Sequence, residues 1–259
     1  MVGMDLGLDG RAYVLTGASR GLGLATARCL VADGARVVVS SRDEANVAAA
    51  IESLNAEAGD KRAIGLVADL GQADTAERLV DAATGAYGRL DGALISVGGP
   101  APGTAAAVTD DQWRTAFETV FLGAVRATRA VLGRLGAGGA VGLVLSTSAR
   151  MPNAGLGISN GLRPGLAGVI KDMADEYGPQ GIRIFGLMPG RVLTDRLHEV
   201  FAATGDAEAA RAQAEASIPL RRLGDPDEFG RAAAFLLSPA AGYLTGLCLP
   251  VDGGAIRGL

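Results

Sequence analysis

Histidine and lysine are almost missing from this chain, which has one histidine, His198, and two lysines, Lys61 and Lys171. Imidazole is the only side chain whose ordinary pKa suits proton transfer near neutral pH, so chemistry of that kind has one ready carrier, His198. Cysteine is scarce as well. Cys29 and Cys248 stand far apart in apolar contexts, which argues against a disulfide framework and predicts two free thiols. No apolar run approaches the roughly 18 residues of a membrane-spanning helix. Residues 1–5 lack a secretory signal's basic start and apolar stretch, so a cytoplasmic protein is expected. A net charge of −4 leaves no basic footprint for nucleic acid or an anionic membrane, and 49% hydrophobic content excludes disorder. No metal site is expected.

Glycine is what the chain has in plenty, with 39 residues. Its most informative cluster is Thr16-Gly17-Ala18-Ser19-Arg20-Gly21-Leu22-Gly23, which follows the apolar Tyr13-Val14-Leu15 and opens the helical pattern of residues 24–32. A short strand, a glycine turn and a helix make a phosphate-binding element. Gly17 permits the tight turn, Gly21 lets the backbone come close to a pyrophosphate, and Gly23 lets helix and strand pack. The unpaired N–H groups of the helix's first turn then face the anion.

Strand-like runs alternate with helical patterns along the whole length. Strands are expected over residues 11–16, 36–40, 63–68, 93–96, 140–146, 182–187 and 247–251, and helices over 24–32, 44–57, 72–87, 109–135 and 157–177. That order specifies parallel βαβ crossovers. The expected fold is therefore α/β, a Rossmann-type doubly wound sheet of about seven strands with helices on both faces, in one domain over residues 1–259. Residues 193–219 break the rhythm after a strand end, which suits a lid over a pocket. Ligands of such sheets sit at the C-terminal strand ends, beside the first strand.

The nucleotide can be read from charge. A carboxylate at the tip of the second strand would bind ribose hydroxyls and repel a 2′-phosphate, but here the tip reads Val39-Ser40-Ser41-Arg42. A hydroxyl and a guanidinium bind phosphate well, and Arg20 in the glycine turn approaches the same point. The balance favours NADP(H) over NAD(H).

The Gly-x3-Gly-x-Gly spacing behind Thr16 resembles the turn of the short-chain dehydrogenase/reductase family, in the group similar to 3-oxoacyl-acyl-carrier-protein reductases. The likeness covers about residues 8–256 and includes Pro219-Leu220-Arg221-Arg222-Leu223-Gly224, Tyr243-Leu244-Thr245-Gly246 and Val251-Asp252-Gly253-Gly254. It implies hydride transfer between a nicotinamide and a carbonyl or alcohol carbon. Ser19 and Leu22 would lie with the glycines at the pyrophosphate, and Asp69-Leu70 at the adenine. Ser96 and Gly98 occupy the family's Asn-Asn-Ala-Gly stretch. Pro189-Gly190-Arg191-Val192-Leu193-Thr194 would hold the nicotinamide carboxamide, with Pro189, Gly190, Val192 and Thr194 as its contacts. The resemblance also implies a homo-oligomer, dimer or tetramer, pairing through residues 109–135 and 157–177, where Gly161, Gly165, Ala167 and Gly168 would allow close approach.

The family's Asn, Ser, Tyr and Lys are mostly absent. No Tyr-x3-Lys exists in the chain. Counting from the fifth strand, Ser146 falls at the catalytic serine, Ser159 at the tyrosine and Arg163 at the lysine, while Val120 replaces the helix asparagine. A serine hydroxyl is a far weaker acid than a phenol, and a guanidinium stays charged. Losing a positioned general acid typically costs roughly 10²- to 10⁴-fold in rate. Ser146 and Ser159 can still donate hydrogen bonds to a developing oxyanion, and Arg163 can still supply fixed charge and hold ribose hydroxyls. These groups suit hydride transfer to an acceptor needing little acid assistance, such as an iminium, a quinone or an activated enone. A redox-neutral cyclisation, dehydration or isomerisation also fits, as does a protein that binds NADP(H) without turnover.

Replacing Arg42 by Asp sets a carboxylate where the 2′-phosphate is expected. Titration calorimetry of Arg42→Asp should show NADPH weakened far more than NADH, and equal losses would refute the nucleotide assignment.

Overall fold

The computed structural model describes residues 5–202 and 204–258. The expectation about the chain's start therefore falls, for residues 1–4, outside the described residues.

Short runs of Ala, Val, Leu and Ile that are apolar on both faces belong in a sheet covered on both sides, and that is where they lie. Among the described residues the strands are β1 Ala12–Thr16, β2 Arg36–Ser41, β3 Ala63–Val67, β4 Gly92–Ile95, β5 Ala140–Val144, β6 Arg183–Pro189 and β7 Cys248–Val251. All pair in parallel, in the order β3-β2-β1-β4-β5-β6-β7. Every residue of β1, β4 and β5 is buried.

The strands are linked by α1 Gly21–Ala32, α2 Glu44–Ala58, α3 Thr75–Tyr87, α4 Asp110–Ala116, α5 Gly123–Leu132 and α6 Gly157–Tyr177, followed by α7 Asp195–Ala202, α8 Ala207–Ser217 and α9 Pro226–Leu237. Alternation along the strands splits the core in two. Tyr13 and Leu15 pack with Leu30 of α1, Leu54 of α2 and Phe229 of α9, whereas Val14 packs on the other face with Leu79 of α3, Val131 of α5 and Ile170 of α6.

Three expectations need correction. Residues 109–135 are not one α-helix, because a π-helical segment, Phe117–Leu122, separates α4 from α5. The helix expected from residue 72 begins at Thr75, after Asp74. The fifth strand stops at Val144, and Ser146 caps a 3₁₀ turn, Thr147–Ala149.

The two ends of the sheet differ in chemistry. At the N-terminal end of β4, the Asp91 carboxylate accepts from Arg11 at 3.2 Å, from Arg89 at 2.7 and 2.8 Å and from the Ala12 N–H at 2.8 Å. Those bonds fix strand ends and leave no donor over. At the opposite end the first two helices differ from each other. Asp43 caps α2 by accepting the Asn46 N–H at 2.8 Å, whereas α1 starts after Arg20 with no side-chain cap. None of the described helices is long and apolar enough to cross a membrane.

Arg183 of β6 is buried under α9, where its Nη1 and Nη2 donate at 2.7 and 2.8 Å to the carbonyls of Leu236 and Ser238. A cation there satisfies carbonyls that a helix end leaves unpaired and complements the helix dipole. Arg183→Leu should lower the unfolding free energy by about 3 kcal/mol in a denaturant titration, given that hydrogen bonds from charged donors contribute about 1.5–3 kcal/mol. A loss well under 1 kcal/mol would show that the cap is dispensable.

Candidate active site

The tips of β1 and β4 diverge toward α1 and α4, opening a crevice at the point where the sheet order reverses. Thr16 closes its floor. Thr16 Oγ1 donates to the Ser96 carbonyl at 2.7 Å and accepts the Ser96 N–H at 2.8 Å. Gly17 turns directly above this bond with φ 56°, and a Cβ there would stand 2.8 Å from the Ser96 oxygen. A Cβ on Gly23 would lie 2.6 Å from the Ala18 Cα, so that glycine seats α1 against the turn. Between them Gly21 has open backbone, with only the Thr194 side chain nearby, 3.5 Å from a Cβ position. The glycine turn and the Pro189–Thr194 segment, far apart in sequence, thus meet. Ser19 is buried in the turn and Leu22 half-buried.

Arg20 and Arg42 are both exposed, and neither pairs with a carboxylate among the described residues. Ser41 Oγ donates to the Asp43 carbonyl at 3.3 Å. Asp69 Oδ1 accepts the Gly71 N–H at 2.9 Å, and no donor among the described residues reaches its Oδ2. Leu70 is half-buried beside it. Gly98 faces open space, with nothing within 4 Å of its Cβ position. Gly190 donates to the Val251 carbonyl at 3.0 Å, and Val192 bridges to Gly224, so β7 and the start of α9 brace this wall.

The positions expected to be catalytic sit on the loop after β5 and the first turns of α6. Ser146 Oγ accepts the N–H of Ser148 at 3.2 Å. Ser159 Oγ lies 2.8 Å from Ser148 Oγ, both residues being buried. Ser148 is a participant that the sequence reading missed, because it matches no position of the family's catalytic pattern. Arg163 is 5% exposed. Its Nη1 donates to the Val144 carbonyl at 2.8 Å, while its Nε has no partner among the described residues. Burial pushes its pKa down to about 10, which still leaves it charged at neutral pH.

The surrounding wall is apolar. Val120 of the π-helical segment is buried with Ile158 and Leu162, backed by Trp113 and Phe121. Gly161 and Gly165, expected to serve helix pairing between copies, meet Trp113 and Phe121 of the same chain, each 2.8 Å from a Cβ position. Loop 99–104 is tied to the start of α6: the Gly103 N–H donates to the Gly155 carbonyl at 2.7 Å and its carbonyl accepts the Gly157 N–H at 2.8 Å. Asn160 and Asn153 exchange two further bonds of 2.9 Å, which fix the loop carrying Ser148. In the 193–219 segment, α7 and α8 close on a small core of Phe201, Ala214, Ile218 and Leu223. His198 is exposed on α7 and has no side-chain bond to the serines.

A parallel sheet with an uncapped helix over a glycine turn, and hydroxyls with a buried cation at the next strand tip, define a dinucleotide-dependent type of oxidoreductase scaffold. The comparisons give the family. The family model described as enoyl-(acyl carrier protein) reductase matches residues 17–255, and the chain belongs to the short-chain dehydrogenases/reductases. An uncharacterised oxidoreductase of Methylorubrum extorquens is 35% identical over 250 residues, 95% of this chain and 98% of that one. L-sorbose reductase from Gluconobacter frateurii, solved with NADPH and L-sorbose, superposes with a TM-score of 0.92 at 27% identity, covering 99% and 100% of the two chains. A short-chain oxidoreductase of Pseudomonas aeruginosa PAO1, described as containing an atypical catalytic center and solved with NADPH bound, gives 0.90 at 31% identity over 96% and 98%.

One carbonyl bond does not offset the desolvation of the Arg163 guanidinium. Arg163→Met should therefore raise the stability of the ligand-free protein by about 1 kcal/mol or more in denaturant titration, because a hydrophobe of similar length replaces an undersatisfied buried charge. A loss of stability would mean that the Val144 bond outweighs desolvation.

Proposed function

We propose that this protein is an NADPH-dependent reductase that delivers hydride to a carbonyl, imine, activated enone or quinone, with proton delivery altered from the family's usual arrangement. One observation carries the reading: the nucleotide-binding features are kept while the phenol and ammonium are replaced by Ser159 and Arg163. The NADPH held by the sorbose reductase and by the Pseudomonas oxidoreductase supports the choice of cofactor.

The chain's own groups fit that cofactor. The uncapped start of α1 suits the pyrophosphate, the exposed Arg20 and Arg42 with Ser41 suit a 2′-phosphate, and Asp69 Oδ2 is free to accept from the adenine amine. The unpartnered Nε of Arg163 suits a ribose hydroxyl. Thr194, Val192, Pro189 and Gly190 would hold the carboxamide side, and Ser96 with Gly98 the opposite wall. When bound, the reduced nicotinamide supplies the hydride.

What the residues do beyond binding is electrostatic. Ser146 and Ser159 donate hydrogen bonds to the substrate oxygen as it gains charge, and Arg163 places fixed positive charge nearby. None of the three gives up a proton readily. Acceptors whose reduced form tolerates negative charge, such as quinones and enones, are therefore favoured over simple ketones. The same shortage of an acid supports a second reading, a redox-neutral reaction on this scaffold. Residues 193–219 would act as a lid. A homo-oligomer is also proposed, supported by Gly168, which faces open space on α6, and by the fully exposed Tyr243.

Turnover with stereospecifically 4-deuterated NADPH tests the reductase reading, since deuterium should appear in the reduced product by mass spectrometry. Absence of label in the products of carbonyl, imine, enone and quinone acceptors alike would overturn it.

A further inference from the structure

Ser148 ties the two remaining hydroxyls together. Its N–H donates to Ser146 Oγ, and its own Oγ lies 2.8 Å from Ser159 Oγ, where either oxygen could hold the shared proton. The two hydroxyls share one bond and both are buried, so one proton is left over whichever serine donates. Ser148 is 2% exposed, and among the described residues Ser159 is the only partner of its hydroxyl. Were Ser159 the donor, the spare proton would sit on Ser148, the less exposed of the two, with no acceptor among the described residues; were Ser148 the donor, it would sit on Ser159, at the position expected to meet the substrate oxygen, where a ligand can accept it. With Ser148 as donor its proton is satisfied, one Ser159 lone pair is filled, and the Ser159 proton is left over. Ser146 is in the same position: a lone pair takes the Ser148 N–H, and its own proton has no acceptor among the described residues.

We infer that Ser148 is a positioning residue that directs the protons of Ser146 and Ser159 outward, making a two-donor site for a substrate oxygen that gains negative charge. The identity of that oxygen rests on the reductase reading; the direction of the protons does not. Donation from Ser148 polarises Ser159 and strengthens the bond that Ser159 gives onward. The surroundings hold the arrangement still. Asn153 Nδ2 donates to the neighbouring Thr147 Oγ1 at 3.1 Å, and the Asn153–Asn160 pair locks the loop to α6. No carboxylate or imidazole among the described residues bonds either serine, so the pair is neutral and its donor sense is set by geometry.

Neutron diffraction from crystals of the full chain exchanged into heavy water reads the proton positions directly. Deuterium on Ser148 Oγ pointing at Ser159 Oγ is expected, and deuterium on Ser159 pointing at Ser148 overturns the inference whatever the activity. A kinetic arm uses NADPH oxidation with an ortho-quinone acceptor. Ser148→Ala should lower kcat on the order of 10-fold or more, by analogy with loss of an oxyanion donor, with the calorimetric Kd for NADPH unchanged. Ser148→Thr, which restores the hydroxyl, should recover most of the rate. An unchanged kcat in the alanine variant, or equal losses in both, would leave Ser148 with a packing role and overturn the inference. If the wild-type chain oxidises no NADPH with carbonyl, imine, enone and quinone acceptors alike, the reductase reading fails while the neutron result still decides the direction of the protons.

Discussion

The reciprocal hydrogen bonds between the Thr16 hydroxyl and the Ser96 backbone hold the whole site together. β1 and β4 are neighbours in the sheet but carry their helices to opposite faces, so nothing in the ladder itself fixes how far their tips part. One side chain spanning them sets the width of the crevice. The same bond explains Gly17, because the turn passes too close to the Ser96 carbonyl for a Cβ to fit. Everything expected to contact a dinucleotide stands on one side or the other of that clamp.

The site is built from contrasts in hydrogen-bond satisfaction. At the closed end of the sheet Asp91 is saturated by two arginines and a backbone N–H, and Arg183 is saturated by carbonyls at the end of α9. At the open end, among the described residues, the helix start has no side-chain cap, Asp69 Oδ2 has no donor, Arg163 Nε has no partner and the Ser146 proton has no acceptor. Folding tolerates unsatisfied buried groups only where their number is small, and Arg163 Nε, the one such side-chain atom found among the described residues, stands at this end of the sheet. Arg20 and Arg42, exposed and unpaired with any carboxylate among the described residues, add a sign to it.

Loss of the phenol changes what such a site can do. A tyrosine beside a lysine both stabilises an alkoxide and protonates it, and those tasks are separable. A serine in its place would keep the first and largely give up the second, and the wall of Val120, Ile158 and Leu162 beside it is apolar. On the proposed reading the chemistry is weighted toward electrostatic stabilisation, which depends on donors already pointing the right way. That is why the direction we infer Ser148 to impose acquires importance here.

The strand and helix order was readable from apolar runs and glycine turns, and the catalytic substitutions from counting thirteen and seventeen residues on from Ser146, because parallel sheets and their tip motifs are written in local pattern and spacing. Sequence could not reveal the π-helical break at Phe117–Leu122, the true start of α3 after Asp74, or the use of Gly161 and Gly165 by Trp113 and Phe121, since each depends on what packs opposite. It equally could not pair Ser148 with Ser159 or leave Arg163 Nε without a partner. Those are matters of distance and burial between segments that only the folded chain brings together. Periodicity determined the scaffold and the chemical types at its tips; tertiary contact decided which of their protons and charges remained free to act.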